Sequence, residues 1–215
     1  MTADAYEIRQ CRECGLRYPL VEDHPFGRDC PLCGKETRLI LRRELVTGPD
    51  HDPAPGQTPA IEALLDNIRS AWNVGSIFRT ADGFDIRKLH LCGITPTPES
   101  EGVRKTALGA EQSIPWNYHR NALEAVGELK SLGKQLWALE QDARARPIID
   151  LSDLPPDENI VLIVGNEITG VDPEVLDLCD RILLIPMHGS KRSFNVAVAF
   201  GIAAYALQTL NRTRS

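Results

Sequence analysis

No apolar run in the 215 residues approaches the roughly 18 needed to span a bilayer. The longest candidate, 194–210, is interrupted by Asn195, Gly201 and Gln208. The first ten residues, MTADAYEIRQ, lack the basic-then-apolar pattern of a secretory signal. A cytoplasmic protein with no membrane partner is therefore the expectation. The phosphate fingerprints G-x-G-x-x-G and G-x-x-x-x-G-K-[ST] are also missing, which argues against a dinucleotide site or a P-loop. Surplus positive charge is missing too: the formal net charge is −6, against a general nucleic-acid coating protein. Residues 1–45 carry eight Lys/Arg and eight Asp/Glu, so the excess acid lies further on. Any RNA contact must be local, with Arg69, Arg79, Arg104, Lys105, Arg120, Lys191 and Arg192 as candidates.

Cysteine is present in a pattern. Cys11, Cys14, Cys30 and Cys33 form C-x2-C-x15-C-x2-C, each pair followed by glycine, which supplies the positive φ of a tight knuckle. Four sulfurs in two knuckles are the closed tetrahedral set of a structural Zn2+ site. A disulfide pair is the alternative, and a reducing compartment disfavours it. A head of about 40 residues has too little core to fold unaided, so the metal would stabilise it directly. Runs at 16–21 and 37–41 suit small strands, giving a zinc ribbon over 1–45. Its Arg9, Arg12, Arg17, Arg28, Arg38, Arg42 and Arg43 either meet phosphates or form a solvated surface balanced by acids. Cys92 and Cys179 stand alone in apolar contexts and read as buried thiols.

Residues 46–59, rich in proline and glycine, read as an extended linker. From 60 to 215 apolar runs alternate with helical patterns. Strands are expected at 61–68, 88–92, 135–139, 160–164 and 181–185, and helices at 73–82, 122–132, 173–179 and 195–210. The alternation predicts an α/β fold with a mostly parallel sheet covered on both faces. Ligands bind such sheets beyond the carboxyl ends of the strands.

Three segments there have the form of site loops. In NIRSAWNVGSIFRTADGF, Asn73 reads as an N-cap, and Val74, Ile77, Phe78 and Ala81 form one buried face with Arg79 off it. In VLIVGNEITGV a buried strand runs into Gly165, with Glu167 and Gly170 in the following loop. In ILLIPMHGSKRSFNVAVAFGIAAY a strand stopped by Pro186 leads through a polar loop to Ser193 and Asn195. These open a helix apolar nearly all round, which predicts burial in the core or coverage by a second subunit, hence a homodimer.

Taken in order, the three segments resemble the signature motifs of the SpoU/TrmH-type RNA 2′-O-methyltransferases of the SPOUT superfamily. The residues that carry the resemblance are Asn73, Gly75, Arg79 and Ala81; Gly165, Glu167 and Gly170; and Ile185-Pro186-Met187, Gly189, Ser193, Asn195, Val196 and Tyr205. The resemblance implies an α/β sheet with a C-terminal trefoil knot and an active site completed across a dimer. It also implies S-adenosylmethionine held by Leu139, Gly165, Ile185, Met187, Ser193 and Phe194. Arg79 matches the family's catalytic arginine, which activates a ribose 2′-hydroxyl of tRNA or rRNA, with Asn73, Glu167, Ser193 and Asn195 completing the site. Arg69, Arg104, Lys105, Lys191 and Arg192 are the expected RNA contacts, with Trp116 stacking on a base. The chain departs from the family pattern at Phe194 (usually leucine) and Ala197 (usually serine). A non-catalytic RNA-binding or assembly factor with the same fold is the rival reading.

Overall fold

Ile160–Val164 is five consecutive buried residues, too short for a helix and too apolar for a half-exposed strand, and it forms a central strand. The computed structural model describes residues 5–21, 24, 28–45, 61–151 and 159–212. The chain divides into two units, Met1–Pro55 and Gly56–Ser215. The expected linker, 46–59, lies outside the described residues.

The first unit is a three-stranded antiparallel sheet of β1 (Ala5–Cys11), β2 (Arg17–Val21) and β3 (Thr37–Glu44), ordered β2-β1-β3. The central strand, β1, was not expected. Its YEIRQ stretch is mostly polar, and pairing on both edges, rather than an apolar run, makes it a strand.

The second unit runs β4 (Ile61–Asp66), α1 (Ala71–Gly83), β5 (Leu89–Cys92), α2 (Glu101–Ala107), α3 (Ala110–Ser113), β6 (Trp116–His119) and α4 (Ala122–Ser131). It continues with β7 (Gln135–Leu139), β8 (Arg146–Pro147), β9 (Ile160–Val164), α5 (Pro173–Leu178), β10 (Arg181–Leu184) and α6 (Val196–Arg212). Seven strands form one sheet in the order β6-β5-β4-β9-β7-β10-β8, every neighbouring pair parallel.

Successive strand side chains point to opposite faces. Ile61, Ala63, Leu65, Trp137, Leu162 and Val164 thus join a core with α1 and α6. Leu64, Leu136, Ala138, Val161 and Ile163 join a second core with α4 and α5. All seven strands run the same way, so their carboxyl ends collect at one rim, and the three predicted site loops leave from that rim.

One expectation is corrected here. The N-cap of α1 is Ser70, not Asn73: the Ser70 hydroxyl accepts the Asn73 backbone N–H at 3.3 Å. With Ser70 as the cap the helix starts two residues earlier than its apolar stripe suggested, and the Asn73 amide is freed for another contact. Trp116 opens the edge strand β6, three strands from β9, and packs half-buried against the first core.

Candidate active site and metal centre

Glu167 is the hub of the rim. Its carboxylate accepts the backbone N–H groups of Arg69 at 2.9 Å and Ser70 at 3.0 Å, and the Asn73 side-chain amide at 2.8 Å. Asn73 in turn accepts the Asn195 amide at 3.1 Å. One hydrogen-bonded chain therefore links all three predicted segments. Burial pushes the Glu167 carboxyl up, but the Arg69 backbone N–H and the bonds that follow it outweigh burial, so its pKa lies below the ordinary value. A carboxylate committed to three donors is a clamp rather than a proton acceptor.

Two more groups fix the loops. Asp66, buried at the end of β4, accepts the Asn67 amide at 2.7 Å and the Asp172 backbone N–H at 2.8 Å. Burial raises its pKa. Asn67 sits in the left-handed region at φ 57°, held by that bond and by the Ile94 N–H on its own amide oxygen at 3.1 Å. The 165–171 loop closes on itself through paired backbone bonds between Asn166 and Gly170, at 3.0 and 2.9 Å. A Cβ on Gly165 would overlap the backbone of Gly170 and Val171, so this glycine makes room for the loop's own return.

A cleft opens between the ends of β7, β9 and β10 and the start of α6. Leu139, Gly165, Ile185, Ser193 and Phe194 of the expected donor-binding set line it, as do Glu167 and Asn195, whereas half-buried Met187 does not. Apolar walls from Leu139, Val164, Leu184, Ile185 and Val196, with carboxylates and amides at the rim, match a ligand that is part flat heterocycle and part cation. Asn195 caps α6, its side chain accepting the Ala197 N–H at 2.9 Å and its carbonyl the Ala199 N–H, also at 2.9 Å.

Arg79 does not line this cleft. It is exposed on α1, seven residues after the exposed Trp72 and therefore on the same helix face. Beside that face runs an apolar groove bordered by Trp72, Thr80, Val198, Ile202 and Tyr205. Val198 and Tyr205 are 51% and 60% exposed, so the outer face of α6 has no cover among the described residues.

Of the expected RNA contacts, Arg69, Lys191 and Arg192 are exposed at or near the rim. Arg104 instead donates to the carbonyls of Pro98 and Glu99 at 2.8 and 2.6 Å, and Lys105 pairs with Glu101 at 2.8 Å. Sequence reasoning missed Trp72, whose neighbours Ala71 and Asn73 gave no periodic signal. It also missed Glu140, a cleft carboxylate that belongs to none of the three segments.

The four head cysteines are free thiols with their sulfurs within 4.8 Å of one another. The closest pairs are 3.5–3.6 Å apart. A tetrahedral zinc with bonds of about 2.3 Å spaces its sulfurs about 3.8 Å apart, so the set fits that ion. Gly15 and Gly34 take φ of 75° and 67°, as the knuckles require. The Cys14 backbone N–H helps to lower the Cys11 thiol to about 6, whereas burial and the neighbouring sulfurs push Cys33 up to about 12, so Cys11 is the thiolate of the crowded set. Arg9 is no phosphate contact: it is buried and donates to Thr37 and Glu7.

The family model for the SpoU rRNA Methylase family matches residues 60–205. Among curated proteins, the chain is 32% identical over 157 residues to 23S rRNA (guanosine-2'-O-)-methyltransferase RlmB of Coxiella burnetii, covering 71% of this chain and 59% of that protein. It is 28% identical over 150 residues to tRNA (guanosine(18)-2'-O)-methyltransferase of Escherichia coli, covering 70% and 63%. The chain thus spans about three fifths of the length of these relatives. Among solved structures it resembles the A. aeolicus TrmH/SpoU tRNA modifying enzyme, with TM-score 0.64, 25% identity and coverage of 73% and 78%. It also resembles the AdoMet-bound rRNA methyltransferase from Sinorhizobium meliloti, with TM-score 0.65, 25% identity and coverage of 78% and 62%.

Proposed function

Since the chain belongs to the SpoU rRNA methylase family, we propose that it transfers a methyl group from S-adenosylmethionine to a ribose 2′-hydroxyl of structured RNA, either tRNA or rRNA. The observation that carries this reading is the Glu167–Asn73–Asn195 chain, which gathers the three segments at the mouth of a cleft with apolar walls.

Bound in the cleft, the donor supplies an electrophilic methyl on a sulfonium whose departure leaves a neutral thioether. The chain's own residues supply position and electrostatics. Leu139, Ile185 and Phe194 would hold the flat part of the ligand, with Gly165 and Ser193 bordering it. Glu167 orients Asn73 and, through it, Asn195, so the amides at the rim are fixed before RNA arrives. An arginine guanidinium keeps its proton in proteins. Arg79 therefore stays cationic and stabilises the 2′-oxygen as its proton leaves to solvent water.

Arg79 lies on α1 beside the open groove and not in the cleft of its own chain. This supports a homodimer in which a second copy covers α1 and α6 and brings Arg79 to the partner's cleft. Arg69, Lys191 and Arg192 are the phosphate contacts nearest the rim in this reading. The head binds Zn2+ as a structural ion, and its exposed arginines extend the RNA surface.

Calorimetry with S-adenosylmethionine, together with transfer of tritiated methyl to RNA, tests the assignment. Arg79→Ala should retain donor affinity within about threefold and lose transfer by about 1000-fold or more, the scale of a missing preorganised charge. Unchanged transfer in the variant would remove Arg79 from the mechanism.

A further inference from the structure

Glu140 directly follows β7, and its carboxylate lines the cleft next to Leu139 and Gly165. One carboxylate oxygen accepts the Gln141 N–H at 2.8 Å, and the other accepts the Val171 N–H at 2.9 Å. Gly170 permits the approach, because a Cβ there would overlap the second of these oxygens. Among the described residues no ion pair engages Glu140. An ionised carboxylate has two lone-pair directions on each oxygen and no proton to donate. Two backbone bonds thus fix this group and leave one acceptor direction on each oxygen.

Two adjacent acceptors with no donor match a vicinal diol. An acidic side chain beyond a parallel strand is also a general solution for holding ribose hydroxyls in α/β folds. The position agrees. The reactive end of a methyl donor must lie where RNA arrives, at the Glu167–Asn73–Asn195 rim. The ribose, one methylene away from the sulfur, then lies deeper, against the strand ends. Resting on the reading of this cleft as a methyl-donor site, we propose that Glu140 accepts the 2′- and 3′-hydroxyls of the donor's ribose and thereby selects an adenosyl ligand with an intact diol.

The test is calorimetry of the full chain with S-adenosylhomocysteine and its 2′-deoxy and 3′-deoxy counterparts, on wild type, Glu140→Gln and Glu140→Ala. Wild type should bind the intact ligand about tenfold or more tighter than either deoxy form, the scale of a hydrogen bond to a charged acceptor. Glu140→Ala should bind all three alike, at the weakened level. Equal binding of the three ligands by wild type overturns the proposal without any variant having to fold. So does discrimination that survives in Glu140→Ala, whereas Glu140→Gln, which keeps one acceptor oxygen, should discriminate less than wild type; in both overturning cases the cleft remains a donor site. Variants that lose S-adenosylmethionine far more than S-adenosylhomocysteine would make Glu140 a partner of the sulfonium charge, which also overturns it. Failure of wild type to bind S-adenosylhomocysteine at all overturns the donor-site reading together with the proposal.

Discussion

Replacing Glu167 with alanine removes one acceptor and releases three donors: the Arg69 and Ser70 N–H groups and the Asn73 amide. Hydrogen bonds to a charged group contribute about 1.5–3 kcal/mol each when sheltered. These groups lie near solvent, and water replaces the lost acceptor, so the net cost to folding should be about 1 kcal/mol. The cost to transfer should be larger, because Asn73 loses its orientation and Asn195 loses a fixed partner. About 2–3 kcal/mol of positioning corresponds to a rate lower by roughly 30- to 150-fold. Glu167→Gln is not a mild change. One terminal atom becomes an NH2 facing an N–H donor, so at least a tenfold loss is expected. The assay is single-turnover transfer of tritiated methyl to RNA from cells lacking the gene, alongside donor affinity and thermal unfolding. The Glu167 pKa lies below the ordinary carboxylate value, so its clamp is complete above that range and is lost only in stronger acid. Wild-type kcat/KM should therefore show no acid limb from Glu167 between about pH 5 and 8. Transfer by Glu167→Ala within threefold of wild type would refute the clamp. An acid limb near neutrality that vanishes in Glu167→Gln would make Glu167 a base instead.

Purified protein should carry about one Zn2+ per chain by elemental analysis, and Cys30→Ser should lose it together with the β-sheet signal of the head. Retention of metal after that change would contradict a four-sulfur site. Glu62, bonded to His90 at 2.9 Å and to Lys134 at 2.6 Å, has its carboxyl lowered from 4.5 to about 2. Its stabilisation is present above about pH 4.5 and is lost as pH falls through about 2. That shift amounts to about 3 kcal/mol at full weight and about 1–2 kcal/mol after screening. Glu62→Gln should flatten this part of the acid-unfolding profile, and an unchanged profile would contradict the assignment. Val198→Glu places a charge on the open face of α6 and should convert the expected dimer to monomer in sedimentation velocity; an unaltered dimer would place the interface elsewhere.

The parts legible in sequence were those where one local signal suffices. The runs 135–139 and 160–164 coincide with β7 and β9, because residues buried on both faces of a sheet are apolar, as are all five of Ile160–Val164 and the four that follow half-buried Gln135. The four cysteines were legible because metal-ligand spacing is a property of the chain. The strand β6 was not, since WNYH has no alternation and becomes a strand only by pairing with β5. Asn73 was misread as a cap because its type suits one, although its amide serves Glu167, 94 residues away. Glu140 was invisible for the related reason that its role depends on Gly170 and Val171, brought to it by the fold.

The most direct measurement is nucleoside mass spectrometry of RNA from cells lacking the gene, treated with purified protein and S-adenosylmethionine. A cleft that presents a sulfonium methyl to a sugar oxygen predicts a single 2′-O-methylated nucleoside, absent with Arg79→Ala. A methyl group on a base, or no methylation by protein that binds the donor, would contradict the account.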